Sequence, residues 1–162
     1  MRHILIAGLT AMLLLVTAPA QMAEVLPHEG AGVKVWVPDN WAKDGDEDSL
    51  IVNDPNEEIM FAFLVVDASE TEAALEALET ELSEIVSNVQ TEDDGEEIQL
   101  NGMDGFVLDG TGSVEGTPVE LGVMLLETPS GKVLMVLAIV EASKAGKHEG
   151  TVEKIMKRIK PL

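Results

Sequence analysis

Hydrophobic and polar positions change period several times along this chain, and each change marks an element. Val33 to Val37 alternates Val, Lys, Val, Trp, Val, the two-residue period of a strand with one buried face, and Pro38 stops it. Gln21 to Gly32 before it shows no sustained period and reads as an irregular lead-in. Asp39-Asn40 predicts a turn that folds Trp41 back onto the core, with Lys43 to Asp48 a charged loop. Leu50 to Val52 is a short strand ended by the turn chemistry of Asn53-Asp54-Pro55-Asn56. Ile59 to Val66 is almost continuously apolar, which predicts a central strand covered on both faces.

A helical period then takes over. Leu75, Leu78, Leu82, Ile85 and Val89 form a buried stripe, with Glu76, Glu79, Glu81 and Glu84 mostly on the wet side. Ser69 and Glu72 have capping-box spacing at its start. An acidic loop, Thr91 to Glu97, leads to strands over Ile98 to Leu100, Phe106 to Val114, Val119 to Glu127 and Lys132 to Val140. Asn101-Gly102 suits a two-residue hairpin turn because both positions tolerate positive φ, and Glu115-Gly116 and Pro129-Ser130-Gly131 supply the next two turns. A final helix from about Ala145 to Ile159 places Val152, Ile155, Met156 and Ile159 on one face, with Pro161 past its end.

Three strands, a helix, four strands and a helix contain no repeating βαβ crossover. The expected fold class is therefore α+β: a mainly antiparallel sheet of about six or seven strands flanked by two helices. No internal repeat or linker divides residues 21–162, which read as one domain.

The first twenty residues carry a different pattern. Arg2 and His3 precede an apolar run, Ile4 to Val16, and Ala18-Pro19-Ala20 supplies small residues at the positions a signal peptidase reads. A membrane-spanning helix needs about 20 apolar residues, more than this run offers. Residues 1–20 are therefore expected to be a cleavable signal peptide, leaving 142 of the 162 residues as an exported protein, periplasmic or secreted. With no Cys in the chain, the lipid-anchored lipoprotein route is closed.

Charge sharpens the picture. The chain has 10 basic and 30 acidic residues, a net charge of −20. That balance argues against nucleic acid and anionic membrane surfaces, both of which are met by basic patches. The excess is uneven: from Ser143 onward Lys144, Lys147, Lys154, Lys157, Arg158 and Lys160 face only Glu149 and Glu153. Lys154, Lys157 and Arg158 are the candidate binding residues, as a basic docking surface on an acidic body. The plainer reading of the same residues is that cations complement the C-terminal end of a helix dipole.

Catalytic chemistry finds little to work with. His28 and His148 are the histidines beyond the signal segment; one lies in the lead-in and one near the start of a surface helix, and both read as surface residues. No Gly-x-Ser-x-Gly elbow occurs. Gly110, Gly112 and Gly116 lie between antiparallel strands and read as bends or bulges. Asp44-Gly45-Asp46-Glu47-Asp48 has the alternating carboxylates that suit calcium. An EF-hand would want Gly at Ser49 and Glu at Pro55, so that motif fails. Glu92-Asp93-Asp94 with Glu96-Glu97 is a lesser acidic cluster. Trp36 and Trp41 could line a ligand cleft, but core packing is commoner for aromatics. No cofactor, metal or catalytic residue is assigned.

Several of these features together resemble the PsbP-like superfamily, including its bacterial DcrB-like envelope members. The carrying residues are Val35-Trp36-Val37-Pro38 followed by Trp41, Asp54-Pro55 before the long strand, and Ile98-Gln99-Leu100-Asn101-Gly102 with Gly105. Gly131-Lys132 and the closing Ile159-Lys160-Pro161 extend the match. The resemblance implies a curved antiparallel sheet flanked by helices and a non-enzymatic role, since members act as extrinsic subunits of membrane complexes or bind a small GTPase. The expected function is binding another envelope or secreted protein. The alternative is a small-molecule or calcium-binding periplasmic module.

Overall fold

The computed structural model describes residues 22–66, 71–92 and 94–162. The signal segment and Ser69 lie outside them. The described residues form two sheets. The smaller has the order β1-β2-β11, from β1 (Ala23–His28), β2 (Val33–Pro38) and β11 (Lys160–Pro161). The larger has eight strands. Its path runs β3 (Ala42–Gly45), β4 (Ser49–Asn53), β5 (Ile59–Val66), β10 (Val133–Glu141), β9 (Thr117–Glu127), β8 (Met103–Val114), β6 (Ser87–Thr91), and β7 (Glu96–Leu100) also pairs with β8. Every pairing is antiparallel. Two helices, α1 (Thr71–Ile85) and α2 (Ala145–Lys157), complete the α+β architecture.

Alternation along β5 and β10 sorts the core into two layers. Phe61, Phe63, Leu134 and Val136 point toward β2 and α2, joining Val33, Val35, Val37, Ile155 and Ile159. Ala62, Val133, Met135 and Leu137 point the other way, toward Ala74, Leu78 and Leu82 of α1. The large sheet is thus a middle layer, and β10, buried at eight of its nine positions, has no wet face. That is why its sequence lacks alternation. Trp41 packs in the first layer, its ring 6.3 Å from Phe61, which stacks on Phe63 at 5.9 Å.

Four expectations need correction. The lead-in is strand β1, whose alternation is inverted: His28 faces the core opposite Val33, while Val25 and Pro27 face outward. The first half of the Lys43 to Asp48 loop is the hairpin arm β3, with Lys43 opposite Val52 and Asp44 opposite Ile51. The helical stripe ends early. Asn88 takes φ 54°, α1 stops at Ile85, and Val86 rather than Ile85 or Val89 is buried. Gly110 and Gly112 do not bend the β8–β9 ladder, which runs unbroken from Gly105–Leu126 to Val114–Thr117; the irregularity lies on their other side, where the β6–β8 register shifts between Ser87 and Gln90. They permit close approach: a Cβ at Gly112 would lie 2.4 Å from Val86, and one at Gly110 2.7 Å from the Gln90 carbonyl.

Asn101 and Gly102 have φ 50° and 86°, and Glu115 and Gly116 have 48° and 86°. Both are the two-residue turns expected between β7, β8 and β9.

Candidate functional site

The turn between β4 and β5 is built on one carboxylate. Asp54 Oδ1 accepts the amides of Glu58 at 2.6 Å and Ile59 at 2.9 Å, and Oδ2 accepts that of Asn56 at 3.1 Å. This fixes Glu58 beneath the start of α2. Its carboxylate receives Lys147 Nζ at 2.8 Å and His148 Nε2 at 2.6 Å, with Lys144 Nζ at 3.7 Å. The Lys147 and His148 hydrogen bonds lower the Glu58 pKa to about 2. Lys144 and Lys147 stand at the positive end of the helix dipole, where cations are unfavourable. Glu58 supplies the compensating charge. His148, expected at the surface, is largely covered, its side chain 12% exposed.

Asp54, Glu58 and His148 bring three metal-capable donors within 4.8 Å of one another. These donors are already engaged, by backbone amides at Asp54 and by two ammonium groups at Glu58. The arrangement works as a clamp joining the β4–β5 turn to α2.

The acidic loop is likewise spent on its own backbone. Asp46 Oδ1 accepts the Asp48 and Ser49 amides, each at 3.0 Å, and the Ser49 hydroxyl at 2.9 Å. The Ser49 hydroxyl, first, and the Asp48 amide lower the Asp46 pKa. Asp44 caps the Gly45 amide. These carboxylates close a hairpin rather than converge on a cation.

His28 also departs from expectation. It is 3% exposed, with Nε2 3.2 Å from the Phe63 carbonyl, and its Nδ1 accepts the Ala31 amide at 3.4 Å. With Nδ1 accepting, Nε2 is the donor to the Phe63 carbonyl. The histidine supports the β1–β2 turn, which Ser130 also holds by donating to the Ala31 carbonyl at 3.1 Å.

The basic C-terminal residues separate into different environments. Lys157 is paired with Glu153 one turn before it on the helix. Lys154 and Arg158 lie over the Trp36 ring, Nζ 4.4 Å and Cζ 5.2 Å from its centroid. Two further members join them. Lys34 precedes Trp36 by two residues on the same face of β2, and Lys160 of β11 stands directly opposite Lys34. Among the described residues, Lys43, Lys132, Lys144, Lys147 and Lys157 form ion pairs, and none of Lys34, Lys154, Arg158 or Lys160 does. Sequence reasoning missed Lys34, whose signal was present in the β2 alternation; it named Lys160 in the basic C-terminal run but not as strand, because a two-residue strand has no period.

A cavity of about 720 Å³ lies between α1 and the large sheet, lined by Leu78, Leu82, Val86, Phe106, Leu108 and Val123.

No protein-family model matches the chain, and no curated protein does. Solved structures do match in shape. Cyanobacterial PsbP (CyanoP) from Synechocystis sp. PCC 6803 aligns with a TM-score of 0.67 at 8% identity, over 90% of this chain and 96% of that one. The Saccharomyces cerevisiae Ran-binding protein Mog1p aligns at 0.56 and 8%, over 86% and 95%. LpqN, involved in cell envelope biogenesis of Mycobacterium tuberculosis, aligns at 0.52 and 18%, over 86% and 90%. What the chains share is architecture, and by that architecture this chain has the PsbP-like fold.

Proposed function

We propose that this protein is a non-enzymatic binding module, exported by way of residues 1–20, whose target is another protein of the envelope or the surrounding medium. The observation that carries the reading is the set of four unpaired basic residues around Trp36 on a chain of net charge −20. With acids in threefold excess, random placement would leave cations paired. A cluster left without anions is available to an anionic partner. Two supports come from elsewhere. Both described histidines are held in structural hydrogen bonds, and a protein of the same fold, Mog1p, is Ran-binding.

The test is affinity purification of the N-terminally tagged protein from its own envelope fraction. A specific partner should be retained by the native protein and lost when Lys154, Lys157 and Arg158 are reversed to Glu, with melting and near-ultraviolet dichroism confirming the fold. A partner held equally by the reversed protein would overturn the assignment of the surface. Recovery of none from the native protein would overturn the function.

The cavity beneath α1 favours a second reading, a small-molecule module. Its volume falls within the range of about 300–1,000 Å³ found for ligand pockets, and its lining is chiefly apolar. Native mass spectrometry of the purified protein should then show a retained apolar ligand, which bare protein would exclude.

A further inference from the structure

The outer face of the small sheet combines charge and apolar surface in a way that specifies its partner. The strand register places Val25 opposite Trp36, Pro27 opposite Lys34, and Lys34 opposite Lys160. By strand alternation all five side chains sit on the side of the small sheet opposite Val33, Val35 and Val37, Trp36 itself being buried, 7% exposed, and continuous with the core. Val25 is 56% exposed, and Lys154 in the last turn of α2 and Arg158, the residue just past its end, close over Trp36 from the edge. The result is a short cationic rim around an apolar strip.

Lys154 and Arg158 gain from stacking on the indole. Lys34 and Lys160 have no such compensation. Like charges directly opposite across a strand pair weaken the sheet, and the fold gains nothing visible from them. Their joint presence is explained by an external anion.

We propose that this face binds an acidic segment of a partner protein, its carboxylates on Lys34, Lys160, Lys154 and Arg158 and an apolar side chain on Val25 and Pro27. The proposal rests on the protein-binding reading above and names the chemistry of the partner. An extended anionic surface fits less well. A bilayer or nucleic acid wide enough to cover this face would also bring its charge against the surrounding acidic body, within the screening length of about 8 Å at physiological salt. A short segment meets the cations alone.

The probe is a synthetic peptide of Asp and Glu with a single central Leu, titrated calorimetrically into the purified protein. A matched peptide with Gln for each acid serves as control. Saturable binding is expected, weakening as salt rises and falling at least about tenfold in the double variant Lys34→Glu/Lys160→Glu. That variant keeps a like-charge pair in the same register, so the cost to the sheet is unchanged while the sign reverses. Lys132→Glu, whose lysine pairs with Asp48, should bind as the native protein does. Trp36 reports independently: in a Trp41→Phe background its fluorescence should shift with the same midpoint.

No saturable heat, equal binding by the double variant, or binding to phosphatidylglycerol vesicles in preference to the peptide would each overturn the proposal. An envelope partner lost on reversing Lys154, Lys157 and Arg158 but kept by the Lys34→Glu/Lys160→Glu protein would overturn this chemistry and leave protein binding standing. Absence of any partner sinks the reading beneath it.

Discussion

The side-chain amide of Asn101 donates to the carbonyl of Ile159 at 2.7 Å and to that of Lys157 at 3.0 Å, tying a hairpin turn to the end of a helix more than fifty residues later in the chain. The last carbonyls of a helix have no partner within it; Asn101 satisfies that of Lys157, the last residue of α2, and holds Ile159 just beyond it. The same residue meets the conformational demand of its own turn, at φ 50°. Asn101→Gly separates the two roles, because Gly keeps the φ and loses the amide. The variant should be less stable than the native protein by about 0.5–1.5 kcal/mol, the net worth of a hydrogen bond, measured by urea unfolding. An unchanged midpoint would reduce the Asn to a turn residue.

Glu58 predicts a pH dependence with a definite sign. Its folded pKa, held at about 2, lies below the ordinary 4.5. A depressed carboxylate stabilises the fold above its unfolded pKa and loses that contribution as pH falls toward the folded value. The melting temperature of the native protein should therefore drop between about pH 4.5 and 2 by more than that of Glu58→Gln. At neutral pH the variant should already melt lower, having left Lys144 and Lys147 at a helix start without their counter-charge. Parallel pH profiles for the two proteins would remove Glu58 from the clamp.

His28 tests the junction between the sheets. Its ring bridges the Phe63 carbonyl and the Ala31 amide in an environment that is 3% exposed. His28→Ala orphans a buried donor, the Ala31 amide, and removes a second bond from the Phe63 carbonyl, which is also in the β4–β5 ladder; a buried unsatisfied group costs about 1–3 kcal/mol. A loss in that range or above it is expected in chemical denaturation, whereas a surface histidine would change stability by no more than about 0.5 kcal/mol.

Where sequence periodicity was strong, it located the elements. Ile59 to Val66 and the strands after Asn101-Gly102 follow from continuous or alternating apolar runs bounded by turn residues, and they appear as β5, β8, β9 and β10. The failures have particular causes. In β1 the inward residue is His28 and the outward one Val25, so hydropathy points to the wrong face. In β6, Val89 happens to fall where a helical stripe would continue, but Asn88 turns the backbone before it. The acidic residues looked alike in sequence and differ in space: Asp54 builds a turn, Glu58 anchors α2, and Asp46 caps its own hairpin. The basic candidates were legible in part. Lys154 and Arg158 stand four apart at the end of α2, but their neighbours Lys34 and Lys160 come from opposite ends of the chain and meet only through the β2–β11 register.

That register makes one stability prediction contrary to the usual direction of mutation. Most substitutions destabilise, yet Lys160→Glu places an acid opposite Lys34 where a like charge stands now. A cross-strand pair of opposite charge contributes about 0.2–1 kcal/mol relative to a neutral pair, and the repulsion it replaces is relieved as well. The variant should melt above the native protein at low ionic strength, with the gap narrowing as salt rises, since exposed charges are screened. The same substitution should weaken binding of the acidic peptide. Gain in stability together with loss of binding from one residue is what a lysine kept for its partner requires; a variant that melts at or below the native protein at every salt concentration would mean that the Lys34–Lys160 apposition carries no cost, and the argument from it to an external anion would fail.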